Sequence, residues 1–488
     1  MVAMGHPGRI WRAWRVGVLP LIALGCAFLL LGVRPDLEID SAKYTALGHW
    51  SLQRLAAGDP MWWSPALGEA PYFKKPPLGL WWAGLFAWAG PPTPWVVRLS
   101  QCVALGAMVL LTTAAGARLL GRRAALLAGL ALVLTPEVLA SLDSVVLDYL
   151  MSALLMVAVC MGVRARHAHS TGAACGWMVL VGVPIGLGML TKPFVPVVAI
   201  PLLAAWIACC RRPDRLRVSL CAFPALCVAI TLAAPWHLAM WHAHGSAFLD
   251  EYLGHQTIAR GTGRAFGSGP PWFYLARIAT TYWPWLAVLA AAAWMHLRSG
   301  RRTMSRDAAL LCGIWILGWL VLASVFADKR GRYIMPVYPM LAWICGAWLA
   351  HQAPRMLRMS VRRWLEPTII LAALMLGATT IAVGAVLGPP RTEWEALGEY
   401  LRHHSDRPVY TGFLIDNQRS KVYLQTGRWP ALAEGDPPTG ALVVFAPRSR
   451  RVAIPEDLDP APHAIVFHTA QRAETGVVVL EWNAGESR

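Results

Sequence analysis

The chain has 488 residues, of which 56% are hydrophobic and only 15% charged, with a mean hydropathy of +0.46 and a formal net charge of +17. Soluble domains carry about 25% charged residues, so the composition excludes a purely soluble protein and implies a polytopic membrane protein. The 44 Lys and Arg fall in short clusters between apolar runs, without any nucleic-acid-binding motif, which is the positive-inside pattern and not a surface for DNA or RNA.

Met1 to Arg15 is basic, and the apolar run 16–33 after it lacks a small-residue cleavage site, so an uncleaved first span is expected. Further runs of spanning length lie at 98–117, 124–141, 143–163, 174–190, 193–210, 218–236, 273–296, 308–327, 333–351 and 366–388, about eleven in all. Run 78–90 is shorter and is closed by Gly90-Pro91-Pro92, which suits an interfacial or re-entrant helix. Charge tests that assignment. If 78–90 lies along the interface, the clusters at Arg9/Arg12/Arg15, Arg118/Arg122/Arg123, Arg164/Arg166, Arg211–Arg217, Arg298–Arg306 and Arg355–Arg363 all fall on one side, the cytoplasm. The same parity gathers 34–77, the turns at Asp143 and Lys192, 237–272, Asp328–Arg332 and everything after Leu387 on the opposite, periplasmic face.

The expected architecture is an all-α polytopic membrane domain over 1–388, whose first periplasmic loop, 34–97, carries juxtamembrane helices, followed by a small periplasmic α/β domain over 389–488. Within the latter, Thr392 to His404 has the pattern of an amphipathic helix, and Ala441–Ala446, His463–Ala470 and Gly476–Trp482 have that of short strands. The ten cysteines form no CxxC pair and lie mostly in apolar runs, as small buried hydrophobes.

Acidic groups are scarce, 27 in the whole chain, so Asp36, Glu38 and Asp40 clustered where the first span meets water stand out. Asp40 is the first candidate for a functional carboxylate, with Glu38 and Asp36 next; Asp40 equally suits the cap of the helix that begins at Ser41. Asp143 and Asp148 open the fourth span, where the helix dipole alone favours a carboxylate. Lys75, Lys192, Arg260, Arg264, Lys329, Arg330 and Arg332 share that face. Singly each suits a snorkelling interfacial residue; together they suit a phosphate, which Arg grips bidentately and Lys meets as a point charge. His255 with Tyr333 could contribute to a metal site or be an ordinary loop pair. The loop 237–272, with Gly261, Gly263, Gly267 and Gly269, is expected to be a mobile gate. Nucleophile-elbow and phosphate-loop signatures are absent from the sequence.

Four stretches carry a resemblance. Asp40-Ser41-Ala42-Lys43-Tyr44 is similar to Asp-Glu-Thr-Arg-Tyr, and Tyr72-Phe73-Lys74-Lys75-Pro76-Pro77-Leu78-Gly79 to Tyr-Phe-Glu-Lys-Pro-Pro-Leu-Gly. Leu142-Asp143 is followed in the next turn by Leu190-Thr191-Lys192, and Lys329 to Pro336 is similar to Lys-x-x-x-Tyr-Ile-Leu-Pro. On these the chain resembles, over about residues 10–350, the bacterial lipid A aminoarabinose transferases and, more distantly, the protein O-mannosyltransferases. Both are polyprenyl-phosphate-sugar-dependent glycosyltransferases of the GT-C fold. The resemblance implies about 11–13 transmembrane helices in a bacterial inner membrane. It implies transfer of a sugar, with inversion, from undecaprenyl phosphate to lipid A or another envelope acceptor at the periplasmic face. Asp40 would then be the essential loop carboxylate and Asp143 a second acidic residue of the site. Lys75, Arg260 and Lys329 would hold the lipid phosphate, and Glu38, Lys192, Arg264 and Tyr333 would line the substrate site. The family also implies a divalent metal, held by the Glu of Tyr-Phe-Glu-Lys and the positions of His255 and Tyr333. Here Lys74 replaces that Glu and Ser41 replaces the Glu after the loop Asp. Three other readings remain: mannosyl-type transfer to Ser or Thr of exported proteins, with Asp40 a true base; a lipid transporter or flippase, which would bury ionisable groups mid-span; and a homologue that only binds lipid.

Overall fold

The computed structural model describes residues 39–90, 93–143, 147–264, 269–300, 302–356, 393–411, 416–432, 438–445, 464–468 and 478–481, with residue 25 besides. They form two compact units: Phe73–Gly79 with Leu99–Val383, and Val33–Tyr72 with Leu80–Arg98 and Gly384–Arg488, counting described residues only.

The described secondary-structure elements of the first unit are all helical, because a segment without access to water must satisfy its backbone N–H and C=O groups internally. Six described helices are long and apolar enough to cross a membrane: Pro94–Leu119, Leu147–His167, Thr171–Met189, Arg215–Ala259, Arg306–Val325 and Gly331–Gln352. Phe273–Thr281 and Trp285–Arg298, bent by 108°, add one more if they make a single broken span. The expected spans 16–33 and 366–388 lie outside the described residues. Two others are shorter than expected. The run 124–141 divides into Arg122–Val133 and Pro136–Ala140, since Thr135 precedes a proline and is extended, at ψ 121°. The run 193–210 is helical only over Val195–Cys209.

The expected gate loop 237–272 is largely helix. Helix Ala222–Leu249 runs on through Pro235 and is followed by wide π-type turns over Asp250–Ala259. Histidines and carboxylates hide an apolar stripe, since Trp236, Met240, Phe248 and Tyr252 are all buried. The wide turns bring residues five apart into contact: Thr257 Oγ1 donates to the Tyr252 carbonyl at 2.9 Å, and Gln256 to Glu251 at 2.8 Å. Gly245, at φ 58° and ψ −138°, breaks the helix and lets Trp236 meet Phe248 at 5.9 Å and Tyr252 at 6.2 Å.

Helix Leu147–His167 defines two ends of this unit, with Asp148 and Arg166 about 27 Å apart at 1.5 Å per residue. At the Arg166 end, Arg166 pairs with Asp307 at 2.6 Å, and Trp206 Nε1 donates to the Asp307 carbonyl at 2.8 Å. Arg212 donates to the carbonyls of Ala165, Arg166 and Ala168 at 2.9, 2.9 and 3.1 Å, and to Asp214. Basic clusters from three loops thus meet at one end.

In the second unit, helix Ile39–Ala56 crosses the helix Pro77–Ala89 backbone to backbone. A Cβ on Gly48 would lie 1.9 Å from the Leu80 carbonyl oxygen, so only glycine permits the crossing. Two short antiparallel strands, β1 (Ala66–Leu67) and β2 (Ala70–Pro71), follow the first of these helices, and the C-terminal part is a mixed five-stranded sheet. Its strands are β3 (Val409–Thr411), β4 (Ala431–Leu432), β5 (Leu442–Phe445), β6 (Ala464–His468) and β7 (Val478–Glu481), in spatial order β4-β3-β5-β7-β6. β3 runs parallel to β4 and β5; β7 runs antiparallel to β5 and β6. Helices Glu393–His403 and Asp416–Thr426 cover it, closing a core of Leu397, Leu401, Val422, Leu442, Val444 and Val479.

Candidate active site

The charged cluster forms at the Asp148 end of the first unit, from four separate stretches. Asp148 sits in the first turn of its helix, where the helix dipole favours a carboxylate. Its Oδ1 accepts from Lys192 Nζ at 2.7 Å, and its Oδ2 lies 3.9 Å from Arg332 Nε. Lys192 Nζ also stands over the Tyr333 ring, 4.1 Å from its centroid. Burial pushes the Lys192 ammonium below its usual pKa, against the upward pull of Asp148. Tyr333 Oη donates to Asp328 Oδ2 at 3.4 Å, and Arg330 and Arg260 approach the same oxygen at 3.5 and 4.0 Å. Two buried carboxylates, Asp148 and Asp328, and four cations, Lys192, Arg260, Arg330 and Arg332, thus converge among the described side chains.

Backbone contacts explain why these stretches meet. Asp328 N donates to the Arg260 carbonyl at 3.2 Å, and Ala327 N to that of Gly261 at 3.0 Å, tying the end of the 250–259 turns to the 327–332 loop. Trp315 Nε1 donates to the Pro336 carbonyl at 2.9 Å, which fixes the far side of that loop. Beneath it Arg277 Nη2 donates to both carboxylate oxygens of buried Glu137, at 2.7 and 3.0 Å, and a Cβ on Gly331 would sit 2.5 Å from Arg277 Nε. Lys329 turns back to donate to the carbonyls of Ser324 and Phe326, both at 2.8 Å, so its ammonium finishes the Arg306–Val325 helix; burial lowers its pKa.

Lys75 belongs to the same unit. Leu78 N donates to the Leu190 carbonyl at 2.9 Å, and a Cβ on Gly79 would lie 2.6 Å from Leu147 and 3.2 Å from Thr191. The Lys-Pro-Pro-Leu-Gly stretch thus packs against the residues next to Asp148 and Lys192, and Gly79 is the residue that permits it.

Other expected residues are placed differently. Asp40 lies in the second unit, in the first turn of Ile39–Ala56, where it pairs with Lys43 at 3.3 Å. Glu38 and Asp36 lie outside the described residues, as does the side chain of Asp143, which ends the turn Ser141–Asp143. Arg264 is exposed. His255 is exposed and faces Glu251 at 3.8 Å, while Tyr333 bonds Asp328. Among the described residues no three His, Cys, Asp or Glu side chains converge as a metal site. With Lys74 in the motif position of a carboxylate, the donor set does not fit a divalent ion. Asp328 was not singled out by the sequence, although an acid within Asp328-Lys329-Arg330-Gly331-Arg332 is the natural partner of those cations.

An apolar groove of about 340 Å3 adjoins this end, lined by Met189, Phe194, Ile230, His237, Trp241 and Tyr252 among others. Phe194 comes two residues after Lys192, and it alone among the described non-glycine residues has positive φ, at 56°. Such a conformation is held only where the surroundings impose it. Within the lining, His237 Nε2 and Tyr252 Oη lie 2.8 Å apart.

The family model for dolichyl-phosphate-mannose-protein mannosyltransferases matches residues 74–241. An undecaprenyl phosphate-alpha-4-amino-4-deoxy-L-arabinose arabinosyl transferase of Pectobacterium atrosepticum is 30% identical over 83% of this chain and 70% of its own length. One of Pectobacterium carotovorum is 29% identical over 71% of this chain, and the chain spans only 61% of that relative. The crystal structure of ArnT from Cupriavidus metallidurans bound to undecaprenyl phosphate superposes with a TM-score of 0.69, covering 98% of both chains at 19% identity. That likeness gives the fold, GT-C, to a multi-pass membrane protein. By sequence and by fold, the chain belongs to the family of undecaprenyl phosphate-alpha-4-amino-4-deoxy-L-arabinose arabinosyl transferases.

Proposed function

We propose that this protein is an integral membrane glycosyltransferase of the bacterial inner membrane. It moves a sugar of the aminoarabinose class from undecaprenyl phosphate to lipid A or another envelope acceptor at the periplasmic face. The observation that carries this reading is the convergence of Lys192, Arg260, Arg330 and Arg332 around Asp148 and Asp328 beside an apolar groove. A polyprenyl phosphate has the complementary form: an anionic head for the cations and an apolar tail for the groove.

In the reaction an acceptor oxygen attacks the anomeric carbon, the bond from that carbon to the phosphate oxygen breaks, and undecaprenyl phosphate leaves with the electron pair. Arg260, Lys75 and Lys192 stabilise the charge that develops on the leaving phosphate. Asp148 holds Lys192 and Arg332 in place. Asp40 orients the acceptor and, if that is a hydroxyl, takes its proton; a phosphate acceptor needs no deprotonation.

The test uses full-length protein in lipid nanodiscs, undecaprenyl-phosphate-linked sugars and lipid A, with product followed by mass spectrometry for wild type, Asp40→Asn and Arg260→Gln. A sugar-sized gain on lipid A, abolished by Asp40→Asn and slowed by Arg260→Gln, is the expected result. Transfer that survives Asp40→Asn removes that residue from its role. The match to the mannosyltransferase model favours one alternative, transfer to Ser or Thr of exported proteins. In that case the rate falls as the carboxylate of Asp40 is protonated, and lipid A gains no mass.

A further inference from the structure

The second unit has an internal lock that nothing in the proposed chemistry uses. Tyr423, fully buried on helix Asp416–Thr426, follows Val422, which packs into the core of the sheet domain. The Tyr423 side chain instead docks on helix Ile39–Ala56. Its Oη donates to Gln53 Oε1 at 2.8 Å and lies 2.9 Å from His49 Nδ1. A phenol has one proton, and a carboxamide oxygen only accepts, so His49 must donate from Nδ1. Trp50 meets the Tyr423 ring edge-on at 5.8 Å, and Trp429 stacks on its other side at 4.4 Å. The Trp429 side chain in turn lies 3.4 Å from where a Cβ on Gly68 would be. Burial holds His49 below its usual pKa, which favours the neutral imidazole with its proton on Nδ1.

Helical geometry gives the lock its purpose. His49 and Gln53 are one turn apart on one face. Asp40 precedes His49 by nine residues, which at 3.6 residues per turn places it about 180° around the helix. The sheet domain therefore grips the back of the helix whose opposite face carries Asp40. Gly48, crossing Gly84, fixes the same helix from the side. We infer that Tyr423 is a positioning residue: through His49 and Gln53 the C-terminal α/β domain fixes the rotation and height of the Asp40 helix for transfer. The inference rests on the proposed role of Asp40.

The experiment compares wild type, Tyr423→Phe and Asp40→Asn, full-length in nanodiscs, by the transfer assay above and by hydrogen exchange over residues 39–56. Tyr423→Phe keeps the ring and removes the hydroxyl. Expected are a kcat lowered about three- to tenfold, a donor KM changed less than twofold, and faster exchange in Ile39–Ala56. Unchanged kcat and exchange overturn the inference, and so does a loss expressed in KM alone. If Asp40→Asn remains active, the role of Asp40 fails separately. The exchange data then judge the lock: faster exchange in Tyr423→Phe supports it, unchanged exchange overturns it. Should Tyr423→Phe fail to fold, Gln53→Met reports the same lock from its other side, with the same two readings.

Discussion

Removing the carboxylate of Asp148 tests the logic of the cluster directly. Asp148 is 3% exposed and its bond to Lys192 is short, 2.7 Å. In Asp148→Leu the ammonium of Lys192 is left buried, against the Tyr333 ring and beside Arg332, having lost its ion-pair partner among the described residues. Breaking one side of a buried pair in this way costs about 3–5 kcal/mol. Asp148→Asn retains an acceptor oxygen, so its cost is that of a charged hydrogen bond reduced to a neutral one, about 1–2 kcal/mol. Asp148→Leu with Lys192→Met removes both charges and restores most of the stability, while donor binding stays weak because a cation is gone. Thermal unfolding in nanodiscs, read by tryptophan fluorescence, ranks the variants, and titration with undecaprenyl phosphate measures binding. The pH dependence has a definite sign. Lys192 is already depressed below 10.5 in the folded protein, so the unfolded chain binds the extra proton between the folded pKa and 10.5, and stability rises with pH across that window. Without Asp148 the depression deepens and the window widens downward. A single Asp148→Leu variant as stable as the double variant, with an unaltered alkaline slope, would refute the account.

Three further outcomes follow from the packing. Gly48→Ala puts a methyl 1.9 Å from the Leu80 carbonyl and should destabilise the second unit by about 2–3 kcal/mol; an unshifted unfolding midpoint contradicts the crossing. His49 has a folded pKa below 6.5, so its contribution is complete above 6.5 and is lost as pH falls from 6.5 through the folded value. Exchange from Ile39–Ala56 should therefore quicken on mild acidification, and His49→Phe should remove that dependence. Arg277→Met strands buried Glu137 beneath Gly331 and should cost about 3–5 kcal/mol, largely recovered by Glu137→Leu in the same chain; equal instability of the single and double variants counts against the pair as the support of that loop.

Much of this was legible from local pattern. Six of the expected spans follow from run length alone, and the short strands β5, β6 and β7 from apolar stretches bounded by Pro, Gly and Asp. Lys75 and Gly79 stand out in one motif, whose meaning is the close approach of Gly79 to Leu147 and Thr191. What was hidden is long-range. Asp148 and Lys192 are 44 residues apart, and nothing in either neighbourhood distinguishes Asp148 from Asp143 before the helix start is fixed. Asp328 was hidden by the basic residues that surround it. Residues 237–259 were misread because His237, His242, His244, Asp250 and Glu251 obscure the stripe of Trp236, Met240, Phe248 and Tyr252. Tyr423 had no signal at all, since its partners are about 370 residues away, on the first-loop helix.

The two ends of helix Leu147–His167 bear on the proposed phosphate. At the Arg166 end, basic residues meet carboxylates and backbone carbonyls, the arrangement expected where positive charge is retained on the cytoplasmic side. At the Asp148 end, four cations share two carboxylates in a largely buried setting. Holding four cations and two carboxylates together in such a setting carries a desolvation cost. Structural economy alone would replace them with apolar residues of similar volume. An anion delivered beside an apolar groove offsets part of that cost through its attraction to the cations. A phosphate monoester on a polyprenyl chain supplies that charge in that place, and the same accounting makes the cluster bind the leaving dianion more tightly than the singly charged sugar-linked diester, which is the direction transfer requires.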